Sequence, residues 1–246
     1  MAPQVSTWQL PGQELSVAEW GAGDDVVVLV HGIGVSRRYF TPLAEDLSST
    51  HRVLALDLPG FGQSPDPSHG RVLSVEEMGE VVAALIRAAG VHRPVLVGHS
   101  MGSQVVTAAA LGDPDAAGSL VLIGPVIEPG ARSFARQAMR LARDARHERP
   151  AANAIMVQEW LRCGPRRYLA TVPSMLAYPL EERLPDVDVP TLVVRGEHDP
   201  VAPRDYVERL AGLASDGRGV EVAGAGHIAM HRRPAVVADL CRTVRC

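Results

Sequence analysis

Five short runs of apolar, mostly β-branched residues recur along the chain, and longer segments with a helical spacing of apolar residues separate most of them. Strands that are apolar at nearly every position must be covered on both faces of a sheet, and their alternation with helices is typical of parallel sheets. The sequence therefore predicts an α/β fold in which helices flank a mostly parallel central sheet. The predicted buried strands are 26–30, 53–56, 95–97, 120–123 and 191–194, and the predicted helices are 39–47, 75–89, 101–111, 204–213 and 235–243.

Two parts of the chain depart from this alternation. Residues 15–20 alternate apolar and polar side chains more regularly, which predicts an antiparallel strand at the edge of the sheet. Residues 126–188 are rich in arginine and carry no strand pattern, although predicted buried strands lie on both sides. We therefore predict a core domain of residues 1–125 and 189–246, with residues 126–188 inserted as a helical cap. In this cap, apolar residues share one face of a predicted helix and arginines the opposite, solvated face: Phe134, Ala138, Leu141 and Ala145 against Arg132, Arg136, Arg140 and Arg143.

The composition excludes several kinds of chemistry. All 24 basic residues are arginine, so neither a Schiff-base lysine nor the lysine of a P-loop is available. The net charge of -4 and the lack of a dense basic run argue against nucleic acid as a partner. Three cysteines without a C-x-x-C spacing indicate neither a disulfide framework nor a zinc site. With no signal-peptide pattern and no apolar run of the roughly 18 residues that suit a membrane span, we expect a cytoplasmic protein without membrane association.

The strongest chemical motif is a serine between two glycines. Gly98, His99, Ser100, Met101 and Gly102 follow the predicted strand 95–97 and precede a predicted helix. A G-x-S-x-G segment in this context is typical of a nucleophile elbow, a sharp turn that exposes the serine hydroxyl at the start of the helix. The flanking glycines leave room for the close approach of strand and helix. Ser100 is therefore the predicted nucleophile.

A second glycine-containing loop follows the predicted strand 26–30. His31, Gly32, Ile33 and Gly34 stand where a backbone N–H could point at a negative charge that develops beside Ser100. Two backbone donors form an oxyanion hole in acyl transfer, and one donor typically contributes about 3 kcal/mol. We predict that these donors are the N–H groups of Ile33 and Met101.

Two further loops provide an acid and a base. Asp199 follows the predicted strand 191–194, and His227 follows a short strand pattern and two glycines, so the chain order is serine, aspartate, histidine. We predict His227 as the general base and Asp199 as the acid that orients it. Glu197 and, more remotely, Glu128 are alternative acids. His198 beside Asp199 lacks a second cluster of ligands, so no metal site is predicted.

Taken together, these four segments resemble the α/β-hydrolase superfamily over essentially the whole chain. Residues 57–64, Asp-Leu-Pro-Gly-Phe-Gly-Gln-Ser, resemble a loop of the branch that contains small esterases, lactonases and meta-cleavage-product hydrolases. The resemblance implies the α/β-hydrolase fold and serine hydrolase chemistry, and we interpret Asp57 as pinning this loop. The serine at position 100 argues against dehalogenase and epoxide hydrolase activity, because those relatives carry aspartate at the elbow. Ile228 disfavours carbon-carbon hydrolases, which usually carry an aromatic residue after the histidine.

The sequence thus predicts a serine hydrolase that cleaves a small carboxylic ester or lactone through an acyl-enzyme, without cofactor or metal. A carbon-carbon hydrolase or a thioesterase of the same fold is the nearest alternative. A slow-turnover ligand receptor and a cofactor-free cyclase remain open, because either can retain the same three residues. Gly32, Trp160 and Tyr168 are the predicted contacts to the small-molecule substrate, and a competing hypothesis is an anionic substrate held by Arg162, Arg166 or Arg167.

Overall fold

A single eight-stranded sheet runs through the computed structural model of the chain, which describes residues 2–146, 148 and 150–244. The strands of this sheet are β1 (Gln4–Leu10), β2 (Gln13–Trp20), β3 (Val26–Val30), β4 (Arg52–Leu56), β5 (Val95–His99), β6 (Ser119–Ile123), β7 (Thr191–Gly196) and β8 (Gly217–Val222). Their spatial order is β1-β2-β4-β3-β5-β6-β7-β8. Strands β3 to β8 pair in parallel, and β1 and β2 are antiparallel to their neighbours. The predicted mostly parallel α/β fold is confirmed.

The edge of the sheet differs from the prediction. Residues 15–20 belong to β2, which lies one strand inside the edge, whereas β1 forms the edge and pairs with β2 from Gln4 to Leu10. The prediction of an edge strand at 15–20 was therefore wrong in position although right in direction. The side chains of β1 are mostly exposed or half-buried, so this strand lacks the apolar pattern that marks the others.

Helices cover both faces of the sheet. In chain order they are α1 (Thr41–Leu47), α2 (Val75–Ala88), α3 (Met101–Gly112), α4 (Phe134–Asp144), α5 (Pro150–Cys163), α6 (Pro165–Ala177), α7 (Leu180–Arg183), α8 (Arg204–Leu213), α9 (Ala229–Arg232) and α10 (Pro234–Thr243). Adjacent strand residues pack in opposite directions, as the two-residue period of a strand requires. Val28 packs into the layer that holds α2, α3 and α8, and Val27 packs into the layer that holds α1, α9 and α10.

The segment between β6 and β7 is helical over α4 to α7, and no strand is assigned in its described part. The apolar face predicted for the first of these helices is not its buried face. Phe134 is 45% exposed and Ala138 is exposed, whereas Gln137 and Asp144 are each only 5% exposed. Gln137 Nε2 donates to the carbonyl of Ala131 at 3.0 Å, so polar contacts orient α4. The apolar face of α4 lines a cavity and is partly exposed to solvent.

The loop after β4 is pinned as the sequence predicted. The carboxylate of Asp57 accepts hydrogen bonds from the backbone N–H of Arg37 at 2.8 Å and of Gln63 at 2.9 Å, and it pairs with the Arg37 guanidinium. Gly62 has a φ of 57°, and a Cβ there would lie 2.3 Å from Asp57 Cγ. This buried carboxylate therefore holds the loop at the carboxyl end of β4, next to the carboxyl end of β3, which His31 follows.

Candidate active site

Ser100 occupies a strained turn between β5 and α3. Its backbone angles are φ 57° and ψ -121°, a region that non-glycine residues rarely adopt and that concentrates at functional sites. The turn brings the strand and helix so close that a Cβ on Gly98 would lie 2.3 Å from the carbonyl oxygen of Gly102. A Cβ on Gly102 would lie 2.2 Å from the carbonyl oxygen of Val30. Both glycines of the predicted elbow are thus sterically required.

Asp199 and His227 form a buried hydrogen-bonded pair. His227 Nδ1 lies 2.9 Å from Asp199 Oδ2, and Asp199 Oδ1 accepts from the backbone N–H groups of Val201 at 2.7 Å and Ala202 at 3.1 Å. Burial alone would raise the pKa of Asp199, but the charge and hydrogen bond of His227 outweigh it and hold that pKa below its ordinary value. The carboxylate therefore stays ionised and keeps a proton on His227 Nδ1.

The two alternative acids lie elsewhere. Glu197 is half-exposed and accepts from the backbone N–H of Gly224 at 2.8 Å. Glu128 pairs with Arg140 at 2.8 Å. Of the three candidate carboxylates, Asp199 is the one that the described structure brings against His227.

The serine and the histidine do not share a hydrogen bond in the described part of the chain. His227 Nε2 is buried without a hydrogen-bond partner there. Ser100 and His227 line two neighbouring cavities, and Leu141 of α4 lines both. The cavity at His227 has a volume of about 250 Å³. Hydrogen bonds between nucleophile and base are often long without substrate, so the open contact is compatible with the predicted pair.

The predicted oxyanion donors both belong to residues near Ser100. In the described structure neither the Ile33 nor the Met101 N–H donates to a protein acceptor, and Met101 is the first residue of α3, where N–H groups have no partner within the helix. Ile33 lines the same cavity as Ser100. The Cβ position of Gly32 lies 3.4 Å from Ser100 Oγ, but its N–H donates to the Tyr39 hydroxyl at 3.0 Å. Gly32 therefore shapes the site by close approach.

The two predicted cap contacts meet over one glycine. Tyr168 lines the cavity at Ser100, and Trp160 lines the cavity at His227 and is 39% exposed. Both side chains reach Gly34, where a Cβ would lie 2.6 Å from Tyr168 and 3.0 Å from Trp160. The three arginines considered for an anionic substrate line neither cavity: Arg162, Arg166 and Arg167.

A chain of buried hydrogen bonds that sequence reasoning missed connects the loops of the site. The N–H of Gly32 donates to the Tyr39 hydroxyl, which lies 2.8 Å from His99 Nδ1, and His99 Nε2 lies 3.0 Å from the carbonyl oxygen of His227. Burial and the nearby His227 hold the pKa of His99 well below its ordinary value, so its ring is neutral. Nε2–H therefore donates to the carbonyl, and Nδ1 accepts from Tyr39. His99 stands in the elbow motif, but no sequence pattern links it to Tyr39.

Two carboxylates of the helical segment between β6 and β7 also reach the histidine loop, and no sequence pattern indicated them. Asp144 Oδ1 accepts from the N–H of His227 at 2.7 Å, and Glu148 Oε1 accepts from the N–H of Ile228 at 3.2 Å. Both side chains are buried. The segment between β6 and β7 therefore contacts the backbone of the predicted base directly.

Residues 2–146, 148 and 150–244 are the part of the chain that the structure describes. This part of the chain holds no group of three or more His, Cys, Asp or Glu side chains suited to a metal ion. None of its helices is long and apolar enough to cross a membrane.

Comparisons with known proteins place this arrangement among relatives. A sequence profile of the alpha/beta hydrolase family matches residues 27–240. The chain belongs to this family. It is 24% identical over 242 residues to the uncharacterized hydrolase YugF of Bacillus subtilis strain 168, with 88% of each protein covered. It is 29% identical over 231 residues to esterase YbfF of Escherichia coli K12, covering 86% of this chain and 89% of the esterase. A thermophilic esterase from Thermogutta terrifontis, solved with malate bound, superposes with a TM-score of 0.84 at 26% identity, covering 99% of this chain and all of that one.

The hydrogen-bond chain yields a stability prediction. Replacing Tyr39 with phenylalanine leaves the Gly32 N–H and His99 Nδ1 buried without partners, so the free energy of unfolding of this hydrolase should fall by about 1–3 kcal/mol. Tyr206→Phe is the matched control, because in the described part of the chain that buried hydroxyl has one hydrogen bond, donated to the carbonyl of Val126 at 3.1 Å. Urea unfolding followed by tryptophan fluorescence measures both. If Tyr39→Phe lowers the free energy of unfolding no more than Tyr206→Phe does, the proposed chain of hydrogen bonds through Tyr39 is contradicted.

Proposed function

We propose that this member of the alpha/beta hydrolase family is a serine hydrolase that cleaves a small carboxylic ester or lactone through an acyl-enzyme. The observation that carries the proposal is the strained Ser100 turn next to a buried His227–Asp199 pair. A strained serine, an oriented imidazole and two N–H groups without protein acceptors are the parts that acyl transfer requires. The esterases among the relatives support the ester as the bond that is cleaved.

In the proposed mechanism, Ser100 Oγ attacks the ester carbonyl while His227 Nε2 takes the hydroxyl proton. Asp199 stabilises the imidazolium that forms, and the N–H groups of Ile33 and Met101 hold the negative oxygen of the tetrahedral intermediate. The intermediate collapses as His227 passes its proton to the leaving alcohol, which leaves an acyl-enzyme. A water molecule then loses a proton to His227 and attacks the acyl carbonyl, and the proton returns to Ser100 as the acid leaves.

The surroundings of Ser100 favour a small and largely uncharged acyl group. The cap side chains at this cavity are mostly apolar, and Phe134, Tyr168 and Met175 are the largest of them. An apolar wall recognises acyl groups by size, with about 10- to 200-fold discrimination per methylene in a well-fitted pocket. Gly32, Trp160 and Tyr168 are the proposed substrate contacts. An anionic substrate is less favoured, because none of the arginines that the structure describes lines either cavity.

The roles of the three residues are tested by pre-steady-state kinetics with p-nitrophenyl acetate. Ser100→Ala should abolish the burst of p-nitrophenol, and Asp199→Asn should lower kcat by about 10⁴-fold, as the equivalent change does in serine proteases, because His227 adopts the wrong tautomer. Glu197→Gln and Glu128→Gln are matched controls and should turn over like the wild type. Full activity in Asp199→Asn with loss in either control would assign the acid to another residue. A wild-type protein that stalls after one acylation would indicate a receptor instead.

Cap contacts are tested with a panel of p-nitrophenyl esters of increasing acyl length, lactones, acyl thioesters and a vinylogous diketone. Trp160→Ala and Tyr168→Ala should change the ratio of rates for long and short acyl chains by about 10-fold or more, since each removes one wall of a cavity. Leu161→Ala is the control, because this exposed neighbour of Trp160 lines neither cavity. Unchanged relative rates in both variants would mean that the cap does not select the substrate. Preferred cleavage of the thioesters or the diketone would replace the ester in the proposal.

A further inference from the structure

Two buried carboxylates of the cap meet consecutive N–H groups of the loop that carries His227. Asp144 is the last residue of α4 and Glu148 follows four residues later, and they are 5% and 8% exposed. Asp144 Oδ1 accepts from the N–H of His227, and Glu148 Oε1 accepts from that of Ile228. Hydrogen bonds to an ionised acceptor are roughly twice as strong as those between neutral groups. The cap thus holds this loop by its backbone.

The loop that carries His227 has a glycine, Gly226, at the point where both carboxylates approach its backbone. A Cβ on Gly226 would lie 2.6 Å from Asp144 Oδ1 and 2.6 Å from Glu148 Oε1, so only glycine leaves room for both oxygens. On the other side, the carbonyl of His227 accepts from His99 Nε2. The peptide groups that flank the Cα of His227 are therefore fixed by the cap on one side and by the elbow on the other.

Desolvating two neighbouring carboxylates costs stability, so tight packing alone does not account for them. Glu148 Oε2 is buried without a hydrogen-bond partner in the described structure. Burial, followed by the charge of Asp144, raises the pKa of Glu148 to about 7. An asparagine or glutamine would supply the same oxygen acceptor without burying a negative charge. A function at the adjacent histidine explains why acids occupy these positions.

The titratable groups that face His227 come from three parts of the fold. Asp199 lies beyond β7, Asp144 and Glu148 belong to the cap, and neutral His99 lies in the elbow; Arg232 of α9 acts on Glu148. Burial would lower the pKa of His227, but Asp199 first, and then Asp144 and Glu148, raise it above its ordinary value. The cap carboxylates thus favour the imidazolium that forms when His227 takes a proton.

We propose that Asp144 and Glu148 are positioning residues: through their contacts with the His227 loop, the cap aligns the imidazole and stabilises the positive charge that develops on it. This inference rests on the proposed function of His227 as the base. With the cap seated on the loop, the imidazole is oriented from both sides and its protonated form is stabilised. With the cap displaced, the N–H groups of His227 and Ile228 lose these acceptors, and the same movement opens the cavity beside His227.

Kinetics of variants that keep the side-chain size provide the first test. Asp144→Asn and Glu148→Gln retain an oxygen acceptor but lose the charge, so kcat for a short p-nitrophenyl ester should fall by up to about 10-fold with little change in KM. Removing a negative charge lowers the pKa of His227, so the acidic limb of the profile of kcat/KM against pH should move to lower pH. Asp144→Ala also loses the acceptor and should lower kcat further.

The matched control is Glu159→Gln, which changes another buried cap carboxylate. Glu159 is 2% exposed, pairs with Arg38 at 2.9 Å and is not among the main charges that raise the pKa of His227. Its pH profile should coincide with that of the wild type. Asp144→Asn and Glu148→Gln profiles that also coincide with the wild type, at unchanged kcat, would overturn the proposal.

A nuclear magnetic resonance titration of the His227 ring in a Ser100→Ala background separates this inference from the proposed function. The resonance is assigned by its absence in His227→Gln. In Asp144→Asn its midpoint should move to lower pH by about one unit, and in Glu159→Gln it should stay in place. A protein without ester turnover but with this shift would contradict the proposed function alone. An unshifted midpoint in Asp144→Asn and Glu148→Gln would contradict this inference, whatever the turnover.

Discussion

The strained turn at Ser100 is the constraint on which the arrangement of the site depends. A residue with a φ of 57° at a strand-to-helix junction persists only when its surroundings hold it. The absence of side chains on Gly98 and Gly102 lets α3 pack against β5 and the end of β3 at distances that no Cβ would allow. The N–H of Ser100 also donates to the carbonyl of Ile123 in β6 at 2.9 Å. Three neighbouring parallel strands thus fix one hydroxyl at their carboxyl ends.

Hydrogen bonds connect the Ser100 turn to the other loops of the site. His99, the residue before the serine, contacts Tyr39 on one side and the backbone of His227 on the other. Tyr39 in turn accepts from the loop that holds Ile33. The elbow, the loop with the proposed oxyanion donor and the loop with the proposed base therefore form one connected unit, and Asp144 attaches the end of α4 to it. Displacing any of these loops disturbs the others.

The sequence predicted those features that depend on local pattern. Continuous apolar runs indicate buried strands, and the spacing of the glycines around Ser100 indicates the elbow. The parallel sheet and the position of Ser100 could therefore be predicted. Strand β1 escaped because its side chains are largely exposed. The contacts between Tyr39 and His99, 60 residues apart, and between Asp144 and His227, 83 residues apart, depend on how the loops and the cap fold back, which no local spacing encodes.

In the proposed mechanism, Ser100 becomes acylated while the N–H groups of Ile33 and Met101 hold the developing oxyanion. A crystal structure of the protein after reaction with a p-nitrophenyl alkylphosphonate would show this arrangement, because the phosphonate mimics the tetrahedral intermediate. We expect phosphorus bonded to Ser100 Oγ, with one phosphoryl oxygen about 2.7–3.1 Å from both N–H nitrogens. Phosphorus on another residue, or a phosphoryl oxygen that points away from both nitrogens, would contradict this mechanism.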